Sequence, residues 1–206
     1  MIPPVFVETF RSRPLSSWPL LTKNSLPEQL VGDVTIVGYD EQQPKLAISH
    51  RNITTQNFMK AHVEHNSKQG DQDIPPFYFP APHVSGPDVI FFVKINGSMY
   101  PCFVQLKLRQ VLERSDVEKA PGTVSSHAIQ EKMEKEQKMQ QKQRQDEPAT
   151  SVQSDQQQLP QLQDYCPTGT YISMIHFHLI RPFAPAEVVF DLILLDKNGS
   201  HLQNCI

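Results

Sequence analysis

Two apolar segments, VIFFVKI at 89–95 and CFVQLKL at 102–108, are joined by the six residues N-G-S-M-Y-P, and this pairing constrains the chain more than any other feature. Both segments carry the β-branched and aromatic content of strands. Asn96-Gly97 suits a type I′ turn and Gly97-Ser98 suits type II′, so a tight hairpin is predicted. Side chains alternate across a strand. Val89, Phe91, Val93 and Ile95 therefore share a core face with Cys102, Val104, Leu106 and Leu108, while Asp88 lies on the other side with Phe103, Gln105, Lys107 and Arg109. A loop at Asn96-Gly97 pairs residue 95 with 98 and sets Asp88 opposite Gln105. A loop at Gly97-Ser98 pairs 96 with 99 and sets Asp88 opposite Lys107. Either register gathers the three polar side chains on one face at one end of the hairpin, whereas a bulge or a three-residue loop breaks the arrangement.

Around this hairpin the chain reads as α/β. Ser25 followed by Pro27 and Glu28 looks like a capped short helix, and VTIVGYD (34–40), EQQP and KLAISH (45–50) read as a hairpin. Thr54 or Thr55 caps a helix through QNFMKAHVEHN, with Phe58, Met59, His62 and Val63 on its apolar face. Residues 75–87 hold five prolines, too many for a helix or an inner strand, and their aromatics are expected to pack on the core. Ser115 and Glu118 suggest a short helix closed by Pro121-Gly122. A second helix at about 126–145 has few apolar positions, and its Glu131–Lys135 and Glu134–Lys138 spacings favour a solvated surface. Its positions sustain no heptad, so a coiled-coil arm is the less favoured reading. The Gln-rich stretch that follows reads as a low-complexity linker, and strands return at 165–180 and 187–196.

The predicted architecture is one domain over 1–206: a mixed central β-sheet flanked by helices, with a polar, partly disordered insertion at 127–163. That insertion accounts for much of the low apolar content, 38% of 206 residues. The net charge of −3 advertises no strong field for nucleic acid. Cys102, Cys166 and Cys205 are too few and too scattered for a disulfide framework or a thiolate zinc site, and fit a reducing compartment. Glu8, Arg11 and Arg13 interrupt any secretory signal, and no apolar run approaches the ~20 residues of a membrane span. The expectation is an intracellular protein, for which a nuclear location is compatible.

An Asp, an amide and a Lys at a strand end suit metal-assisted hydrolysis. Asp88 can bind a hard cation, Gln105 can offer its carbonyl oxygen, and Lys107 can hold a water or stabilise charge on a phosphate. The pattern Pro87-Asp88, then Gln105-Leu106-Lys107, resembles the PD-(D/E)XK nuclease superfamily, the restriction-endonuclease-like fold. There the two motifs lie on neighbouring antiparallel strands, the acidic residues bind magnesium, and the Lys assists the attacking water. The stretch SGPDVIFFVKINGSMYPCFVQLKLRQVLERSDVEKA, with DYCPTGTYISM downstream, is similar to nuclease-type domains of fungal Crinkler-like proteins over roughly residues 50–190. Chains of that type often join the domain to a nucleoside-triphosphatase module. No GxxxxGK[ST] motif occurs here, so such a module is expected only on a longer or separate chain.

The resemblance implies a magnesium- or manganese-dependent phosphodiesterase acting on DNA. Asp88 and Gln105 would be metal ligands, the Leu106 carbonyl a further one, and Lys107 the water-orienting group. Gln105 stands where the family has an acidic residue, which removes a formal charge and weakens cation binding. Some members recruit an upstream acid, for which Glu28 and Glu64 are candidates. Phosphate contacts would fall to Arg109, Arg114 or Lys107, a thin supply of cations for a DNA binder. The rival reading is a non-catalytic binding or effector module that keeps the nuclease fold. The blandest is a solvated strand face with Asp88 capping a turn. His62 with His65, and His176 with His178, would make a zinc site only if His83 or an acid joined them.

Overall fold

The computed structural model describes residues 14, 30–39, 45–66, 74–81, 86–109, 113, 115, 119, 122–145, 161–166, 168–179 and 187–196. Its elements, in chain order, are strands β1 (Thr35–Ile36) and β2 (Ala47–Ser49), helix α1 (Thr55–Asn66), and strands β3 (Phe77–Phe79), β4 (Val89–Ile95) and β5 (Ser98–Arg109). Helix α2 (Ser126–Gln145), a 3-10 turn (Leu162–Tyr165) and strands β6 (Thr170–Leu179) and β7 (Glu187–Asp196) follow. The strands form one mixed sheet in the order β2-β3-β4-β5-β6-β7, with β1 joined to β4. The pairs β2/β3 and β5/β6 are parallel, and the others are antiparallel.

The β4–β5 hairpin has the Asn96-Gly97 register. Ile95 pairs with Ser98 and Val89 with Val104, and both turn residues have positive φ, +50° and +82°, as a type I′ turn requires. After β5 the chain must return to its starting end to lay β6 parallel, which takes a crossover. Helix α2 lies in that crossover. Ser125 caps it: its Oγ accepts the Ala128 amide at 3.3 Å. Likewise Thr54 caps α1, accepting the Asn57 amide at 3.2 Å.

Among the described residues, both faces of the central strands β4 and β5 are buried. On one, Val89, Phe91, Val93, Tyr100, Cys102 and Val104 pack with Leu30, Val34 and Ile36. On the other, Ile90, Phe92 and Phe103 meet Phe58 and Met59 of α1, Ile129 and Met133 of α2, and Leu162 and Tyr165 of the 3-10 turn. The face on which Phe103 lies with Gln105 is thus the helix-covered face of the sheet.

Three local expectations are corrected. β1 and β2 form no hairpin with each other: β1 pairs with β4 at Lys94 and Val93, and β2 runs parallel to β3. The proline-rich segment does supply an inner strand, because Pro76 and Pro80 flank Phe77–Phe79 rather than interrupt it. The Phe77 amide donates to the Leu46 carbonyl (3.4 Å), and the Phe79 carbonyl accepts from His50 (2.9 Å). Helix α2 is not a solvated helix. Ala128, Ile129, Lys132, Met133 and Glu136 are all buried along one stripe, while the expected Glu131–Lys135 ion pair (2.5 Å) lies on its wet side. The helix expected after Ser25 lies outside the described residues, and the one after Ser115 lies largely so.

Candidate functional site

Asp88 precedes β4, and its backbone already belongs to the ladder: its amide donates to the Val104 carbonyl at 2.7 Å. Val104 also faces Val89, so two residues of one strand oppose one of the other, the residue count of a β-bulge. The convergence survives that slip, since the Asp88 carboxylate reaches beyond its own strand end. Its Oδ2 accepts the Leu106 amide at 2.8 Å and a hydrogen bond from Gln105 Nε2. Asp88 thereby supplies to β5 the acceptor that a longer β4 would have provided as a carbonyl.

Gln105 is buried, while Asp88 and Lys107 are half-buried. Burial pushes the Asp88 carboxyl above its ordinary range, opposed by the Leu106 amide and then by the charges of Lys132 and Lys107. The Lys107 charge thus acts on Asp88, as the smallest of these influences. The Leu106 carbonyl lies beside the same group, 3.5 Å from Gln105 Nε2.

Lys132 and Glu136, both on α2, complete the surroundings. Lys132 is 1% exposed, and its ammonium donates to the Pro87 carbonyl at 2.7 Å. Burial lowers its proton affinity, and the nearby Glu136 and Asp88 carboxylates raise it. Glu136 accepts the Thr55 amide (2.7 Å) and the Thr55 hydroxyl (3.0 Å) at the start of α1. Burial pushes its carboxyl up, against the pull of Thr55, Lys132 and His50. Sequence reading missed this pair because charged residues on a polar helix were assigned to solvent. Their spacing with Ala128, Ile129 and Met133 was the available signal.

The other candidates do not join the group. Glu64 is exposed and ion-paired to Lys60 at 3.6 Å. Glu28, His83, Arg114 and Cys205 lie outside the described residues, as do the side chains of His65, Arg109, His176 and His178. His62 packs between the Phe58 and Phe92 rings, at centroid distances of 4.6 and 5.1 Å, as a core histidine does. Among the described residues no three His, Cys, Asp or Glu side chains gather closely enough to hold a metal ion. A cleft lined by Ser126, His127, Gln130, Leu162, Cys166 and Tyr171 opens where α2 begins, with no residue of the Asp88 group in its wall. No helix among the described residues is long and apolar enough to cross a membrane.

The donor set of the Asp88 group can be weighed against a hard cation. Gln105 Nε2 stands between Asp88 Oδ2 and the Leu106 carbonyl. A half-turn of the same amide exchanges that donor for Oε1, so one carboxylate, one amide oxygen and one main-chain carbonyl are available around one point. Magnesium is commonly held by one or two carboxylates and completed by water and substrate phosphate. The donor types therefore fit such an ion, although they carry a single formal negative charge and two lysines act on it. Compared with models of protein families, with curated proteins and with solved structures, the chain matches none.

Proposed function

We propose that this chain is a nuclease-type phosphodiesterase domain acting on DNA with magnesium or manganese. The observation that carries the reading is the gathering of Asp88, Gln105 and the Leu106 backbone on adjacent antiparallel strands, with Lys107 in electrostatic reach. Asp88, Gln105 through Oε1, and the Leu106 carbonyl would hold the ion. When bound, it supplies Lewis acidity toward a phosphodiester and neutralises charge developing there. Lys107 orients the attacking water or stabilises phosphate charge from the same sheet face. Helix α2 covers that face beside Asp88 and limits access of bulk water, which strengthens each charge interaction. The PD-(D/E)XK and Crinkler-like resemblance supports the same assignment.

A second reading, a non-catalytic binding module that keeps the fold, is favoured by one feature. The Gln105 amide already satisfies Asp88, so the group is stable without a cation. Plasmid cleavage with magnesium decides between the two. The protein should cut and Lys107→Ala should lose most of that activity; no cleavage, or equal cleavage by both, refutes the enzyme. A silent wild type whose Gln105→Glu variant cuts would identify a decayed nuclease.

A further inference from the structure

We propose that Lys132 is a positioning residue for Asp88: from inside the crossover helix it holds the Pro87 carbonyl, and so fixes where the Asp88 carboxylate meets β5. Three observations converge on it. The Lys132 ammonium, almost wholly withdrawn from solvent, donates to Pro87 O at 2.7 Å, one residue before Asp88. The backbone just before that contact is built to lie on the lysine stem. Gly86 has φ +131°, and a Cβ there would come within 2.9 Å of Lys132 Cδ and 3.5 Å of the Ala128 carbonyl. The lysine is itself held, since Glu136 lies one turn further on, near enough to act on its charge, and is bonded to Thr55 at the start of α1.

A buried ammonium is costly unless its donors and charge are met. The Pro87 carbonyl meets a donor, and Glu136 with Asp88 meets the charge. A neutral apolar side chain of the same length would fill the space between helix and strand. It would not grip the carbonyl that sets the strand's first residue, and that grip is what the lysine adds. Its consequence for catalysis rests on the nuclease reading; the positioning itself does not.

Amide hydrogen exchange on the full chain tests it, with Lys132→Met and Gly86→Ala as variants. The Leu106 N–H, whose acceptor is Asp88, reports the carboxylate's position directly. In Lys132→Met its protection should fall about tenfold, the loss of one hydrogen bond to a charged group. Amides of the Val93↔Tyr100 pair, deep in the hairpin, should stay unchanged. Gly86→Ala keeps the charge but drives a methyl into the lysine stem, and should produce the same selective loss if Lys132→Met does not fold. Wild-type protection at Leu106 in either folded variant, or an equal fall at Val93 and Tyr100, overturns the proposal. If the wild type cleaves DNA, Lys132→Met should also lower kcat about tenfold to a hundredfold, as misplaced catalytic groups do, with KM little changed. A selective loss at Leu106 in a protein that does not cleave leaves the positioning role standing and removes the nuclease reading.

Discussion

Gln105→Glu places a carboxylate where the structure has an amide donating to a carboxylate. The change removes one hydrogen bond to a charged group, worth about 1.5–3 kcal/mol, and adds repulsion between two negative charges. At a separation of about 4 Å and an effective dielectric near 20, that repulsion approaches 4 kcal/mol. Protonation sets a ceiling on it. A glutamate with an ordinary pKa near 4.3 takes up a proton at pH 8 for about 5 kcal/mol at most, after which the introduced carboxyl can donate to Asp88 as the amide did. We expect the variant to be about 2–4 kcal/mol less stable than wild type at pH 8 in chelator. The sign of its pH dependence follows from the pair's raised pKa. Both states are protonated well below the ordinary carboxylate value, and the folded state is penalised progressively as pH rises through the raised one. The deficit should therefore shrink from pH 8 to pH 5. A cation at the site reverses the penalty, since two carboxylates then face a divalent charge; at a hundred times its dissociation constant an ion restores about 2.7 kcal/mol. Urea unfolding of both proteins at pH 5 and 8, with and without magnesium, measures each term. A deficit that is flat with pH refutes the contact between residue 105 and Asp88. A deficit that ignores magnesium and manganese refutes the cation site.

Two further perturbations test the frame around the site. Gly97→Ala meets open space but must adopt φ +82°, so its cost is conformational, about 1 kcal/mol; a thermal midpoint lowered by about 2–4 °C checks it, and no shift would mean the turn is not type I′. Glu136→Ala leaves the Thr55 amide unpaired and the Lys132 charge facing Asp88 alone, and should cost about 3–5 kcal/mol in denaturant unfolding. Combining Lys132→Met with Glu136→Leu should cost at least ~1 kcal/mol less than the two single changes added together; strict additivity would show that the two side chains do not interact.

The legible part of this chain is the part whose partners are close in sequence. An Asn-Gly-Ser step between two apolar runs limits the hairpin to two tight-turn registers, and either one brings Asp88 to the end of β5 that carries Gln105 and Lys107. The cap at Thr54 is equally local. β1 and β2 failed as a hairpin for the converse reason. With two and three residues they hold too few contacts to define each other, and their partners, Val93–Lys94 and Phe77–Phe79, are supplied by distant sequence. The same applies to β3, where proline content alone argued against an inner strand, while the positions of Pro76 and Pro80 leave the three amides between them available.

The span of helix α2 is legible in the sequence but its buried stripe is not, because hydrophobic periodicity counts a lysine and a glutamate as solvent-facing. Here both lie on the packed stripe, one turn apart. Their burial follows from what they meet: an open carbonyl at Pro87 calls for a donor, and the amide and hydroxyl of Thr55 call for an acceptor. Leucine at both positions would satisfy the pattern yet leave these polar groups orphaned at the junction of α1, α2 and β4, each at a cost of about 1–3 kcal/mol. Polar residues inside a helix's apolar stripe are then best read by asking which chain ends the helix must cover. For this chain, the covered ends are the cap of α1 and the first residues of the strand that carries Asp88. That is why the residues most informative about the site lie in the segment whose composition argued for solvent.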